Sequence, residues 1–252
     1  MGFEVGADAY GRFMGRYSTP MAEEFICAAG VRAGQRALDV GCGPGALTTV
    51  LVRELGAEAV CAIDPSESFV AAFRDRLPEV DVRRGSAEAL PYDDDTFDVA
   101  MAQLVVPFMA DPVAGLREMA RVTRPGGVVA ACAWDHAGER TPLTTYWRAA
   151  ERVEPGGASE ANIPGCRRGH LAQLFAEAGF EDRVESELTI HVHLPTFEDW
   201  WEPMTNGTGP VGDHYARLDE EKRQALREAA ASLMPATDLE ITGTTWCVVG
   251  RV

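Results

Sequence analysis

Apolar residues along this chain fall into short blocks that switch between two spacings. Ala37, Leu38 and Val40 form a compact run interrupted by Asp39, the pattern of a strand buried on both faces. Leu47, Val50, Leu51 and Leu55 then recur at helical spacing and stop at Gly56. Ala59–Asp64 is a second buried strand, followed by a helix with Phe69, Val70, Phe73 and Leu77 on one face and Pro78 at its end. Val80–Arg84 alternates apolar and polar as a third strand, and Phe97–Gln103 is a fourth. Asp111 and Pro112 open a helix with Val113, Leu116 and Met119 inward, and Val128–Trp134 is a fifth strand. Strand alternating with helix predicts a parallel sheet with right-handed crossovers and a ligand at the carboxyl ends of its strands.

Past residue 135 the pattern loosens. Gly138–Gly165 is rich in Gly, Pro, Thr and charge, with a short helix around Tyr146 and Trp147. Leu171, Leu174 and Phe175 mark a helix ended by Gly179. Val184–Leu194 alternates, with Val184, Leu188, Ile190, Val192 and Leu194 on one face. His191 and His193 share the other face, read as solvated because no third metal ligand is in view. Asp219–Met234 is an amphipathic helix, and Leu239–Val252 supplies the closing strands. The expectation from this alternation is an α/β, doubly wound, mostly parallel sheet. One domain spans 1–252, with lid helices at 10–30 and substrate-cap insertions at 138–168 and 195–236.

The chemistry concentrates between the first strand and the helix after it. Gly41, Gly43 and Gly45 alternate there, letting the backbone turn sharply and a ligand come close to main-chain N–H groups. A dinucleotide fingerprint spaces its glycines G-x-G-x-x-G; here the spacing is G-x-G-x-G with Asp39 just ahead. A carboxylate there repels pyrophosphate and suits a cationic ligand. Asp64 follows at the interval of a ribose-binding acid, with a helix cap as the other reading.

The run A-L-D-V-G-C-G-P-G-A-L-T at 37–48 resembles the first motif of the class I S-adenosylmethionine (SAM)-dependent methyltransferases, in particular the type 11-like, small-molecule group. The stretches G-S-A-E-A-L-P at 85–91 and R-P-G-G at 124–127 are similar to later motifs of that family, and 11–18 resembles its lid. The resemblance covers 10–135 and implies a Rossmann-like, doubly wound seven-stranded sheet, mostly parallel with an antiparallel last strand that slots between two others, with SAM as cofactor and S-adenosylhomocysteine as product. It implies cofactor contacts at Arg16, Tyr17, Asp39, Gly41, Cys42, Gly43, Asp64, Pro65, Ser66, Ser86, Ala87, Glu88, Gln103 and Leu104. Ser86 stands where many relatives carry Asp, and Val105-Val106-Pro107-Phe108 lacks the N-P-P-Y type signature of amino-group methyltransferases. Arg16 or Tyr17 is placed to reach the methionine carboxylate, or else lies on an ordinary surface helix.

Methyl transfer demands alignment and water exclusion more than acid–base help. His136 is a base candidate by its place past the fifth strand, or an exposed loop histidine. Trp134, Tyr146, Trp147, Trp200 and Trp201 are candidate walls of a substrate pocket and serve equally well as core. The alternatives are SAM binding with non-methylating chemistry, or a non-catalytic binding role.

Composition narrows the partners. Of 252 residues, 46% are hydrophobic, enough for a full α/β core. The formal net charge of −16 repels polyanions and disfavours nucleic acid and anionic membranes, leaving a small-molecule substrate. The six cysteines form no C-x-x-C pair, no carboxylate cluster suits a metal, and the opening residues show no secretory pattern. A cytoplasmic enzyme is the expectation.

Overall fold

The computed structural model describes residues 10–157, 159–207 and 209–252; the opening residues, on which the expectation of no leader rests, lie outside them. Seven strands form one sheet: β1 Ala37–Val40, β2 Val60–Asp64, β3 Asp81–Arg84, β4 Phe97–Gln103, β5 Thr123–Trp134, β6 Arg183–Thr196 and β7 Thr237–Arg251. Their order is β3-β2-β1-β4-β5-β7-β6. The first five run parallel, and β7 lies antiparallel between β5 and β6. Chain order reverses direction between β1 and β4, the switch point at which such sheets bind ligands.

The helices are α1 Arg16–Ala29, α2 Ala46–Leu55, α3 Glu67–Arg76, α4 Pro112–Val122, α5 Thr144–Val153, α6 His170–Ala178, α7 Phe197–Trp201, α8 Gly209–Arg217 and α9 Glu220–Ala231. A short π-helical turn, Gly11–Gly15, leads into α1. The strands' side chains alternate between two cores. One collects Leu38, Val40 and Ile63 with Leu116, Met119 and Phe175 of α4 and α6. The other collects Ala37 and Ala62 with Phe25 of α1, Leu51 of α2 and Phe73 of α3. Continuous apolar runs are what a sheet covered on both faces requires.

The helix limits follow local chemistry. Asp111 Oδ1 accepts from the Ala114 N–H and caps α4, with Pro112 in its first turn. Thr196 and Asp199 exchange hydrogen bonds in a capping box that starts α7. Gly30, Gly56 and Gly179 close α1, α2 and α6.

Two expectations change. The stretch expected to supply the closing strands from Leu239 forms one long strand, β7, rather than several, because it pairs along almost its whole length with β6. Val184, assigned to the buried face of β6, is 64% exposed at the outer edge of the sheet.

Gly243 on β7 backs directly onto the site. A Cβ there would stand 2.7 Å from Trp134 Cζ3 and 3.0 Å from the Pro142 ring. Gly243→Ala is therefore expected to lower unfolding free energy by about 1–3 kcal/mol through overpacking. Urea denaturation checks this; an unchanged midpoint would show that Trp134 yields freely.

Candidate functional site

The carboxyl ends of β1, β2 and β4 open into a cavity of about 470 Å³ lined by Gly41, Gly43, Asp64, Ser86, Ala87 and Gln103, among others. The glycine turn forms one wall. Gly41, Gly43 and Gly45 all take positive φ, which glycine adopts without strain. Gly41 has a second reason to be glycine: a Cβ would sit 2.5 Å from the Val105 methyls.

The turn's amide donors are directed inward. Gly41 N–H and Cys42 N–H donate to the Ile63 carbonyl at 2.7 and 3.0 Å, and Gly45 N–H donates to the Cys42 carbonyl at 2.9 Å. Gly43 N–H donates to Asp64 Oδ2 at 2.8 Å. Asp39 lies behind the turn, 1% exposed, and accepts from Thr48 Oγ1 at 2.6 Å. A carboxylate thus occupies the amino end of α2, where a phosphate would otherwise settle. The open N–H cradle expected from the glycine spacing is not formed, and Asp39 acts through the turn rather than on the cavity. Burial pushes its carboxyl up to about 7, against the bonds from Thr48.

Asp64 ends β2 and does face the cavity. Its Oδ1 accepts from Ser66 N–H at 2.8 Å, so each oxygen takes one backbone donor and keeps further acceptor capacity. Burial raises its pKa. Pro65 and Ser66 line the same wall, and Ser66 caps α3 by accepting from Phe69 N–H.

Opposite, Ser86 Oγ donates to Glu88 Oε2, and Glu88 Oε1 accepts from Ala110 N–H at 2.8 Å and Asp111 N–H at 3.2 Å. This ties the β3–β4 connection to the start of α4 and sets Ala87 against the cavity. Gln103 closes β4; its Nε2 donates to the Ser18 carbonyl at 2.9 Å, while its buried Oε1 has no partner among the described residues. Leu104 follows at φ +63°, a conformation costly for a side chain with a Cβ, which sequence spacing does not reveal.

Some expected contacts are not brought together. Arg16 donates to the Asp199 carbonyl at 2.6 Å and to the Arg12 carbonyl at 2.7 Å. Tyr17 is 1% exposed in the core of α1. Tyr10, seven residues before Tyr17, lines the cavity in their stead. Cys42 packs inward with its Sγ 3.6 Å from the Gly43 carbonyl, and burial holds its thiol far above the usual range.

The aromatic candidates divide. Tyr146, Trp200 and Trp201 are packing core: Tyr146 bonds Val211 and His214, and Trp200 Nε1 donates to the Pro142 carbonyl. Trp134 lines a second, narrow cavity of about 50 Å³ with His136 and Glu160. Trp147 lines a third, of about 400 Å³, and donates from Nε1 to Glu160 Oε2 at 2.7 Å. His136 is buried rather than an exposed loop residue, and desolvation lowers its pKa to about 4. Glu160 escaped the sequence reading, because the stretch around it has neither periodicity nor motif; burial raises its carboxyl to about 7.

Residues 38–131 match a protein-family profile described as a methyltransferase domain. The chain is 32% identical over 200 residues to the demethylmenaquinone methyltransferase of Halalkalibacterium halodurans, covering 71% of this chain and 82% of that one. It is 40% identical over 124 residues to the demethylmenaquinone methyltransferase of Mycobacterium sp. (strain KMS), covering 49% and 52%. For several curated relatives, the matched region spans only about half of their length. Among solved structures, a Haemonchus contortus phosphoethanolamine N-methyltransferase in complex with phosphomonomethylethanolamine and S-adenosylhomocysteine superposes with a TM-score of 0.61 at 14% identity, covering 97% of this chain and 56% of that one; the likeness is one of fold.

Proposed function

The chain belongs to the class I SAM-dependent methyltransferases, and from that premise we propose that it binds SAM in the cavity at the switch point and methylates a small-molecule acceptor. The observation that carries the reading is that Asp64 and Gln103, whose buried Oε1 has no partner among the described residues, line one cavity whose glycine turn spends its N–H donors internally. Acceptor groups in excess of donors suit a ligand with hydroxyls and positive charge and no phosphate. The residues fit SAM on that ground, and fit NAD poorly.

Asp64 is assigned the ribose hydroxyls, through the acceptor capacity left on its two oxygens. Gln103 Oε1 is assigned the methionine ammonium, which would satisfy a buried acceptor now orphaned. Ser86 and Ala87 are assigned the adenine edge, with Ser86 Oγ accepting from the adenine amino group while it donates its own proton to Glu88. Val105 packs against Gly41 of the glycine turn, which leaves no room there for a side chain. When bound, SAM supplies a methyl carbon on a positively charged sulfur, an electrophile with a neutral leaving group. The chain's part is to hold the acceptor in line with that carbon and exclude water.

No helix among the described residues is long and apolar enough to cross a membrane. The six free thiols support a reducing, cytoplasmic setting, and the net charge of −16 supports a small molecule over nucleic acid. Isothermal calorimetry with S-adenosylhomocysteine and NAD tests the reading. Micromolar-scale binding of the first and none of the second is expected. Binding of NAD, or of neither, would overturn it.

A further inference from the structure

Three cavities stand in a row across the carboxyl side of the sheet. The large one at the switch point and the narrow one share Tyr10, Leu104, Pro107 and Phe108. The narrow one and the outer one share two residues, His136 and Glu160. The walls of the narrow cavity are otherwise almost wholly apolar, with Phe13, Leu143 and Ile163 among them. The outer cavity is edged by Glu139, Arg148, Glu151 and Arg152. A histidine and a carboxylate, both buried, are thus the partition between an apolar chamber beside the cofactor cavity and a charged chamber on the far side.

A buried carboxylate without a cation is unfavourable unless it is hydrogen-bonded or used. Glu160 is 5% exposed and receives one strong bond, from Trp147 Nε1 to Oε2. Its Oε1 has His136 Nε2 at 3.8 Å, too long for a hydrogen bond. Room for a donor therefore remains at that oxygen. A second unfilled group lies in the same chamber wall: Trp134 is 5% exposed, and its indole N–H has no partner among the described residues. A vacant donor and a vacant acceptor at one small apolar chamber specify a group that both accepts and donates. A hydroxyl does this; an ammonium only donates, and an ether or alkyl group cannot donate.

We propose that the narrow cavity receives the hydroxyl-bearing end of a largely apolar acceptor, with Glu160 as the catalytic base that takes the proton of that weakly acidic hydroxyl. The inference rests on the methyltransferase reading and names its substrate class. Trp134 N–H is the donor to the hydroxyl oxygen, and Glu160 Oε1 receives its proton. The oxygen's lone pair forms the new bond to the methyl carbon and displaces sulfur, which leaves with the electron pair of the broken carbon–sulfur bond. The proton on Glu160 then passes to water in the outer cavity, so it need not return through the apolar chamber. His136 is a positioning residue: uncharged at neutral pH, it closes the partition without neutralising the base. Its neighbour Asp135 is engaged by Arg140 Nε at 2.6 Å.

Groups facing Glu160 come from every side. The loop after β5 brings His136, and Asp135 with its Arg140 partner. The loop also brings Glu139, which pairs with Arg148 of α5. Helix α5 brings Trp147, Glu151 and Arg152, and the segment before α6 brings Cys166. Tyr10, from the lead-in, stands at the cofactor side, its phenol raised to about 12 by burial. None of the acids among them contacts Glu160, so desolvation dominates and leaves it with a proton affinity matched to neutral pH.

The test uses the full chain saturated with S-adenosylhomocysteine, with phenol and its methyl ether anisole as probes, read by calorimetry. Phenol is expected to bind about tenfold or more tighter than anisole, a hydrogen bond to a charged acceptor. That preference should grow as pH rises through about 7, where Glu160 ionises. Glu160→Gln keeps the Trp147 bond through its amide oxygen; it should abolish the pH dependence and leave S-adenosylhomocysteine affinity unchanged. Trp134→Phe should weaken phenol binding yet keep the pH dependence. Equal affinities for the two probes, no phenol binding to a complex that holds S-adenosylhomocysteine, or an unaltered preference in Glu160→Gln would each overturn the proposal. Failure of the wild type to bind S-adenosylhomocysteine would instead overturn the reading beneath it.

Discussion

Asp64→Ala is expected to weaken S-adenosylhomocysteine binding by about 100-fold, about 3 kcal/mol, while the chain stays folded. Two effects add. The ribose hydroxyls lose a charged acceptor, and the cavity loses two struts, since Asp64 Oδ2 holds the Gly43 N–H and Oδ1 holds the Ser66 N–H, each at 2.8 Å. Gly43 then has a donor with no acceptor in the middle of the turn, and the turn loosens against β2. Ser66→Ala separates the contributions. It keeps the backbone N–H on Asp64 and removes only the side-chain cap of α3, so it should lower stability by about 1 kcal/mol with little effect on affinity. Calorimetry gives the affinities and thermal unfolding the stabilities. An affinity in Asp64→Ala within threefold of wild type would remove Asp64 from the ligand's contacts.

The fold was legible because its code is local. Apolar runs set between glycine and proline stops place β1, β2, β4 and α2 to within a residue or so, and the position of β7 between β5 and β6 follows from the family resemblance. The cavity wall was legible where chemistry sits on a strand end: Asp64 and Gln103 fall where a period of two must put them. Asp39 was misplaced for a physical reason. Spacing reveals that a carboxylate stands near a glycine turn, but not that Thr48, nine residues on, turns back to bond it. Arg16 and Tyr17 were misplaced by rotation. The π-helical turn at Gly11–Gly15 offsets α1, so Tyr10 meets the cavity, Tyr17 enters the core and Arg16 reaches Asp199. Glu160 had no signal at all. It lies in an irregular connection between α5 and α6, where only the assembled fold shows that a lone acid is buried beside His136 and Trp147.

Asp39→Asn carries the largest expected effect on stability, and its sign follows from proton binding. An aspartate in an unfolded chain titrates near about 3.9. In the folded chain burial holds Asp39 at about 7, with Asp64 pushing the same way and Thr48 opposing. Between those two values the native state binds the more protons, so unfolding becomes easier as pH climbs. The stabilisation is fully present below about pH 4 and is lost as pH rises through about 7, a swing on the order of 4 kcal/mol. Asp64 and Glu160, both raised by burial, tilt the wild-type curve in the same direction. An asparagine keeps an acceptor for Thr48 Oγ1 and has nothing to ionise. The variant should match wild type near pH 4, lose part of the downward slope, and be the more stable protein above about pH 7. Urea unfolding across that range measures both slopes. Parallel curves would show that Asp39 is ionised at little cost, and that the amino end of α2 stabilises its charge far more than burial opposes it.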